Sequence, residues 1–174
     1  HMCPIMVTLR RKSLQTPCPY LSDRIAFLDP WFVQKMCDDY KKFDSDRNWF
    51  FSETYMKVVN DEYPITGKPG KTWVKDVDII YLVHNINTNH WLALEVDLLK
   101  RRIKVYDNIL SCNKDKEVTE ACKPFIRMFS ALLQAVSPPE KKKEIGVVVF
   151  SFYRVKIAPQ NIQEGDCGSM KYIE

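Results

Sequence analysis

Cys167 is the residue of this sequence best suited to covalent chemistry, because it stands in the motif Gly165-Asp166-Cys167-Gly168. A thiol attacks a carbonyl carbon as the thiolate, which forms when a nearby base, cation or helix N-terminus favours the negative charge. Asp166 can cap a helix that begins at the cysteine, and the glycines let a substrate chain approach closely. A cysteine is more often a small buried hydrophobe, but so polar and flexible a motif does not suit a core strand. The motif therefore predicts a nucleophile at Cys167 and a substrate-binding role for Gly168.

A histidine base held by a carboxylate is predicted from two strands. His90 begins the segment "HWLALEVD", and Asp107 follows "RRIKVY", with a turn between Asp97 and Arg101. In an antiparallel pair the start of the first strand lies beside the end of the second, so His90 and Asp107 are expected to be in contact. The imidazole would take the thiol proton, and the carboxylate would orient the ring. The alternatives are a surface histidine at a strand entry and an aspartate that caps a turn.

The remaining histidines and cysteines are expected to be structural. His84 lies within the apolar run "LVHN" and is interpreted as a histidine at the edge of the core. The six cysteines contain no Cys-x-x-Cys pair and no regular spacing, which argues against a zinc ribbon or a disulfide framework. We therefore expect no metal and a reducing compartment.

The order of the predicted elements indicates an α+β fold with a central, mostly antiparallel sheet flanked by helices. A helix should begin after the cap Asp29 and run to about Phe43, and a second should begin at Ser45 or Asp46. Three adjacent strands, a long helix and a buried strand follow, in the order "DVDIIYLV", "HWLALEVD", "RRIKVYDN", "DKEVTEACKPFIRMFSALLQAV" and "IGVVVFSFYRVKI".

Composition indicates one globular domain, because 174 residues with 45% apolar and 28% charged residues can bury a substantial core. The opening His1-Met2 is typical of residues left by cloning, so the domain is expected over residues 3–174. A net charge of +4, spread along the chain, does not suggest a nucleic-acid binder. No window is long and apolar enough for a membrane span, and no secretory leader is visible, so a soluble protein is expected.

The segments "NHWLALEVDLLKRRIKVYDN" and "GDCG" together resemble the ubiquitin-like-protein-specific cysteine proteases, the SUMO-protease or Ulp family, and in particular its plant and transposon-associated members. The shared marks are His-Trp, an aspartate seventeen residues later, and Asp-Cys-Gly downstream, over roughly residues 73–170. The resemblance implies a papain-like cysteine peptidase with Cys167, His90 and Asp107 as its triad. It also implies cleavage after the C-terminal diglycine of SUMO or a related modifier, through a thioester and without a cofactor.

Substrate selection is implied by the same resemblance. Family members thread the diglycine through a narrow passage lined by tryptophan, and the residue after the catalytic histidine supplies one wall, which is Trp91 here. A flat indole over glycines excludes larger side chains by sterics. The segment "YLSDRI" is similar to the family segment that supplies the opposite wall, with Tyr20 in place of a tryptophan.

Two departures from the family pattern bear on activity. The oxyanion-hole glutamine of the family lies six residues before the cysteine, a position held here by Asn161, with Gln160 beside it. Either amide could complete the oxyanion hole with the Cys167 backbone N–H, and Gln160 is favoured. Only seven residues follow Cys167, whereas family members continue through a longer helix.

Two other functions stay open from the sequence. A domain that binds the modifier without turning it over would keep the docking surface, and a YopJ-type acetyltransferase would use a related His, acid and Cys arrangement. The partners expected for the protease are SUMO or another ubiquitin-like protein and its conjugates, with no nucleic acid and no membrane. We expect a monomer in the nucleus or the cytoplasm.

Overall fold

The computed structural model describes residues 2–46, 48–63, 70–88, 90–137 and 149–160. These residues form four helices and five strands. In chain order they are α1 (Met2–Ser13), β1 (Ile25–Phe27), α2 (Pro30–Ser45), α3 (Glu53–Val59), β2 (Ile79–Ile86), β3 (His90–Asp97), β4 (Arg102–Tyr106), α4 (Asp115–Val136) and β5 (Ser151–Val155).

One five-stranded sheet organises the described residues, in the order β1-β2-β3-β4-β5. The three central strands form an antiparallel meander, and β1 and β5 add to its two sides in parallel. Parallel neighbours need crossover connections, and α4 lies within the connection from β4 to β5. The predicted α+β architecture, with a central sheet and flanking helices, is confirmed.

The two faces of the sheet pack against different helices. Alternate residues of a strand point to opposite faces, so the β3 residues Leu92, Leu94 and Val96 share one face. They belong to the larger apolar cluster, which also includes residues of α2, α3 and α4. A smaller cluster on the other face joins α1 to β1 and β2 and includes Met6 and Phe27. The sheet therefore carries buried apolar contacts on both sides.

Two predicted helices are found, α2 after its predicted cap and α4 over the segment that its periodicity indicated. Asp29 caps α2, and its carboxylate accepts a hydrogen bond of 2.7 Å from the Trp31 backbone N–H. The 22-residue α4 contains Pro124 without ending there. The Lys114 backbone N–H donates to the Glu117 side chain at 2.7 Å, which satisfies a polar group at the start of α4.

The second predicted helix begins later than the sequence indicated. Ser45 is the last residue of α2, and α3 begins only at Glu53, after the N-cap Ser52. Between the two helices Trp49 and Phe51 pack edge to face at a centroid distance of 6.2 Å, and both contact the ring of Phe43. Trp49 and Phe51 make these ring contacts from the connection between α2 and α3, not from a helix. The predicted cap at Ser45 or Asp46 was therefore wrong.

β5, the last strand of the described residues, is at an edge of the sheet that they form, whereas the apolar segment around it predicted a buried strand. Within the described ranges β5 pairs with β4 alone, and Ser151 and Tyr153 are exposed. Phe152 and Arg154 point to the face that carries the larger cluster, and Arg154 is buried. For the described part of that segment, residues 149–157, the prediction of a buried strand was therefore wrong.

Two elements were not predicted. The helix α1 uses Met2 and Met6 to cover the smaller cluster, and both side chains are buried. The strand β1 has three residues and pairs in parallel with β2, with Phe27 beside Tyr81. No helix in the described ranges is long and apolar enough to cross a membrane.

Candidate active site

His90 and Asp107 lie in contact at adjacent ends of β3 and β4. The register pairs Ala93 with Tyr106, which places the first residue of β3 next to the turn that follows β4. His90 points to the same face as Leu92 and is completely buried, as is Asp107. The distance from His90 Nε2 to Asp107 Oδ1 is 2.9 Å. This is the contact that the hairpin geometry predicted.

The Asp107 carboxylate accepts hydrogen bonds on both oxygens. Oδ1 accepts from His90 and from the Ile109 backbone N–H at 2.9 Å, and Oδ2 accepts from Arg154 Nη2. Burial raises the pKa of Asp107, but the hydrogen bonds from His90, Ile109 and Arg154 outweigh burial and hold the pKa below its ordinary value. The carboxylate beside His90 is therefore the ionised form at neutral pH.

Arg154 is a charged member of this site that the sequence analysis missed. It lies on β5, and its side chain is only 4% exposed. Burial lowers the pKa of the guanidinium, but the hydrogen bonds to Asp115 and Asp107 outweigh burial and raise it. The signal in the sequence was a single charge on the inward-facing positions of an otherwise apolar strand, where an unpaired charge would be costly.

Gln160, one of the two candidate oxyanion residues, binds the loop that contains Asp107. Its Nε2 donates to the Asp107 and Ala158 carbonyl oxygens, both at 2.9 Å, and its Oε1 accepts from the Leu110 N–H at 2.9 Å. The amide donor is therefore engaged with backbone carbonyls. An oxyanion role for Gln160 would require these hydrogen bonds to exchange.

Trp91 and Tyr20, the two predicted walls of a substrate passage, both pack against the smaller apolar cluster. Each is half-buried, and the Tyr20 ring lies 5.5 Å from the Phe27 ring between centroids. Trp91 points to the opposite face of β3 from His90, because the two are neighbours in a strand. Burial, and then Cys18, raises the pKa of the Tyr20 hydroxyl.

Cys167, Asn161 and Gly168 lie outside the described residues. Their predicted roles stay predictions from the sequence. The structure shows only that the described chain reaches Gln160, whose side chain binds the Asp107 loop. The predicted nucleophile is seven residues further along the chain.

A second cysteine and histidine pair is present but is not set up for nucleophilic chemistry. Cys37 Sγ and His84 Nδ1 are 4.0 Å apart, between α2 and β2, and the His84 ring packs on Phe125. Burial raises the pKa of Cys37 to about 12 and lowers that of His84 to about 4. Both groups are neutral at pH 7, whereas a nucleophilic thiol needs its thiolate favoured. His84 is therefore a core-edge histidine, as predicted.

Metal ligation is not indicated in the part of the chain that the structure describes. No group of three or more His, Cys, Asp or Glu side chains there could hold a metal ion.

Comparison with known proteins identifies one family. The model of the Ulp1 protease family, C-terminal catalytic domain, matches residues 1–174. No match was found among curated proteins.

Solved structures share the fold. The C-terminal Ulp1 protease domain in complex with Smt3, the yeast orthologue of SUMO, is 14% identical with a TM-score of 0.55. Ulp1 with its catalytic cysteine oxidised to a sulfenic acid is 17% identical with a TM-score of 0.52. The alignments cover 95% of this chain but 59% and 60% of those chains. The chain thus spans about three-fifths of these structures, and identities this low show the fold alone.

Proposed function

Because the chain belongs to the Ulp1 protease family, whose members are cysteine peptidases, we propose that it cleaves after the C-terminal diglycine of SUMO or a related ubiquitin-like modifier. The observation that carries this proposal is the buried hydrogen bond between His90 and Asp107 at the ends of β3 and β4. The family match and the Asp-Cys-Gly motif at Cys167 support it. The modifier seen with the matched Ulp1 domain supports SUMO as the first substrate to test.

The reaction would proceed through a thioester. His90 Nε2 binds Asp107, so Nδ1 is the ring nitrogen that would accept the proton of the Cys167 thiol. The sulfur would attack the carbonyl carbon of the last glycine, and the imidazolium would return the proton to the leaving amine. Water would then attack the thioester, with His90 again accepting a proton, and free modifier and thiol would result. Asp107 would hold the ring in one tautomer and stabilise its charged form.

The oxyanion hole would combine the Cys167 backbone N–H with a side-chain amide. The Nε2 of Gln160 is already bound to two backbone carbonyl oxygens, so Gln160 would donate only after the Asp107 loop rearranged. Asn161 is the other amide that the sequence offers, at the position of the family glutamine. Its side chain is one methylene shorter, so a weak donor and slow turnover are expected.

Selectivity for glycine would come from Trp91 and Tyr20 as the walls of a passage toward Cys167, with Gly168 beside the substrate chain. Both aromatic residues border the same apolar cluster, which would support them. Any side chain larger than hydrogen on the threaded residues would clash with the rings. The passage would therefore accept a diglycine end and reject one that carries alanine.

Turnover of a modifier with a fluorogenic amine at its C-terminus tests the proposal. We expect release of the amine by the protein and by a Cys37→Ala control, and none by Cys167→Ala. A modifier ending in Gly-Ala should be cleaved far more slowly. Binding of the modifier by folded protein, without release of the amine, would contradict the proposal in favour of a binding domain. Transfer of label from acetyl-coenzyme A would instead indicate an acetyltransferase.

A further inference from the structure

We propose that Arg154 is a positioning residue of the active site, whose guanidinium fixes the Asp107 carboxylate so that its Oδ1 faces His90. This inference rests on the proposed function, because it assigns a role in the same catalytic pair. Arg154 contacts Asp107, so its role would be exerted through that carboxylate. The geometry that supports it lies entirely within the described residues.

The guanidinium reaches Asp107 from a different strand. Arg154 is on β5, paired in register with Val105 of β4, and its side chain points to the face on which His90 lies. Its Nη2 donates to Asp107 Oδ2, whereas His90 binds the other carboxylate oxygen, Oδ1. β3, the turn that follows β4, and β5 therefore each contribute a residue to one buried chain of hydrogen bonds.

Both carboxylate oxygens of Asp107 accept hydrogen bonds, so rotation of the side chain would break at least one of them. Turning the carboxylate plane would remove the acceptor from His90, from the Ile109 N–H, or from Arg154. Each of these donors is buried with the carboxylate, where an unmade hydrogen bond is costly. The orientation of the His90 ring follows from that of the carboxylate, because Nε2 donates to it.

The other edge of the guanidinium is held by the turn after β4 and by the start of α4. Nη1 donates to the Asn113 carbonyl at 2.9 Å and to Asp115 Oδ1 at 2.8 Å, and Nη2 also donates to the Leu110 carbonyl at 3.1 Å. A planar fork can satisfy acceptors on several sides, whereas a lysine ammonium acts as a point charge with three donors. Arginine at this position therefore joins the Asp107 turn to both β5 and α4.

Charge is the second reason for an arginine here. Among the described residues, the ionisable groups facing Asp107 are His90 from β3 and Arg154 from β5, with Asp115 of α4 and Lys156 behind the guanidinium. Burial alone would raise the pKa of Asp107, and Arg154 is one of the groups that lower it. Without Arg154 the pKa of Asp107 would rise, so Asp107 would protonate at a higher pH and would then be a weaker acceptor for His90.

Arg154→Met and Arg154→Lys test the proposal by two readouts. The first is the nitrogen-bound proton of the His90 ring in an NMR spectrum, which needs no catalysis. The second is the pH profile of kcat/KM with a fluorogenic modifier. Arg24→Met is the control for loss of an arginine from an ion pair. Arg24 is more exposed than Arg154 and makes two hydrogen bonds of 2.7 Å to Asp78, before the start of β2, whereas His90 pairs with Ile86 at the end of β2.

We expect the His90 ring proton to be visible at neutral pH in the parent protein and in Arg24→Met. It should shift or be lost to exchange in Arg154→Met. In that variant kcat should fall about 10- to 100-fold with KM little changed, as expected for a displaced catalytic group. The acid limb of the profile should move to higher pH. Arg154→Lys, which keeps the charge without the fork, should lower kcat by a smaller factor and keep the acid limb in place.

An unchanged His90 ring proton and kcat in folded Arg154→Met would overturn the proposal. If that variant does not fold, Arg154→Lys decides, because an unchanged ring proton and kcat there would equally overturn it. Failure of the proposed function looks different. The parent protein would then show no turnover, while the ring proton of His90 would still respond to the loss of Arg154.

Discussion

Asp107→Asn should destabilise the protein by an amount that depends on Arg154. The amide replaces a carboxylate that accepts on Oδ1 from His90 and Ile109 and on Oδ2 from Arg154. Whichever way the amide turns, its NH₂ group faces a donor, and the guanidinium loses a buried counter-charge. Removing one partner of a buried ion pair costs about 3–5 kcal/mol. The lower end, about 3 kcal/mol, is expected because Asp115 still binds Arg154.

Urea unfolding at pH 7 measures this effect. With a slope of about 2 kcal/mol per molar urea, a loss of about 3 kcal/mol lowers the midpoint by about 1.5 M. Arg154→Met should cost a similar amount, because it leaves the Asp107 carboxylate buried without its cation. The double variant Asp107→Asn with Arg154→Met should lose little more than either single variant, since both charges are gone. Additive losses, or a midpoint shift below about 0.5 M for Asp107→Asn, would refute the reasoning.

Two further predictions concern pH and the oxyanion amide. The pKa of Asp107 is lower in the folded than in the unfolded state, so its contribution to stability is present above about pH 4 and is lost as the pH falls through the folded value. Urea midpoints measured between pH 6 and pH 2.5 should fall less steeply in Asp107→Asn, and parallel curves would contradict this. Asn161→Gln should raise kcat, whereas Asn161→Ala should lower it by less than about 10²- to 10³-fold, which is the cost of losing a well-placed oxyanion donor. If Gln160→Ala instead causes the larger loss with the fold intact, Gln160 is the oxyanion donor.

The pair at the centre of the site could be predicted because a hairpin determines it locally. Eight residues of β3 and five of β4, in alternating pattern on the two sides of a short turn, fix which strand ends meet, and this brought His90 to Asp107. The long helix α4 was equally readable, since its apolar positions recur over 22 residues. In both cases the signal lies within one continuous stretch of sequence.

What was missed depends on contacts between distant segments. β1 has three residues and owes its place to parallel pairing with β2, which no local pattern encodes. Arg154 meets Asp107 only because the connection that contains α4 brings β5 back to pair in parallel with β4. The apolar run that includes β5 suggested a buried strand. Ser151 and Tyr153 are exposed because β5 lies at an edge of the sheet that the described residues form.

α1 carried a helical signal that was not used. Met2, Met6 and Leu9 recur at helical spacing, and they pack against the smaller cluster. His1-Met2 was interpreted as a remnant of cloning, and no helix was predicted for the residues that follow it. Tertiary packing against β1 explains why this short segment is ordered as helix, since isolated helices of 12 residues are marginal in water.

The central claim is that Cys167 is a nucleophile served by His90 and Asp107. The most direct test is incubation of the folded protein with SUMO and related modifiers that carry an electrophile at the C-terminus, followed by peptide mapping of the adduct. The account predicts a mass increase of one modifier, mapped to Cys167, that is lost in Cys167→Ala and slowed in Asp107→Asn. Folded protein that forms no adduct with any modifier, or an adduct mapped to Cys37, would contradict it.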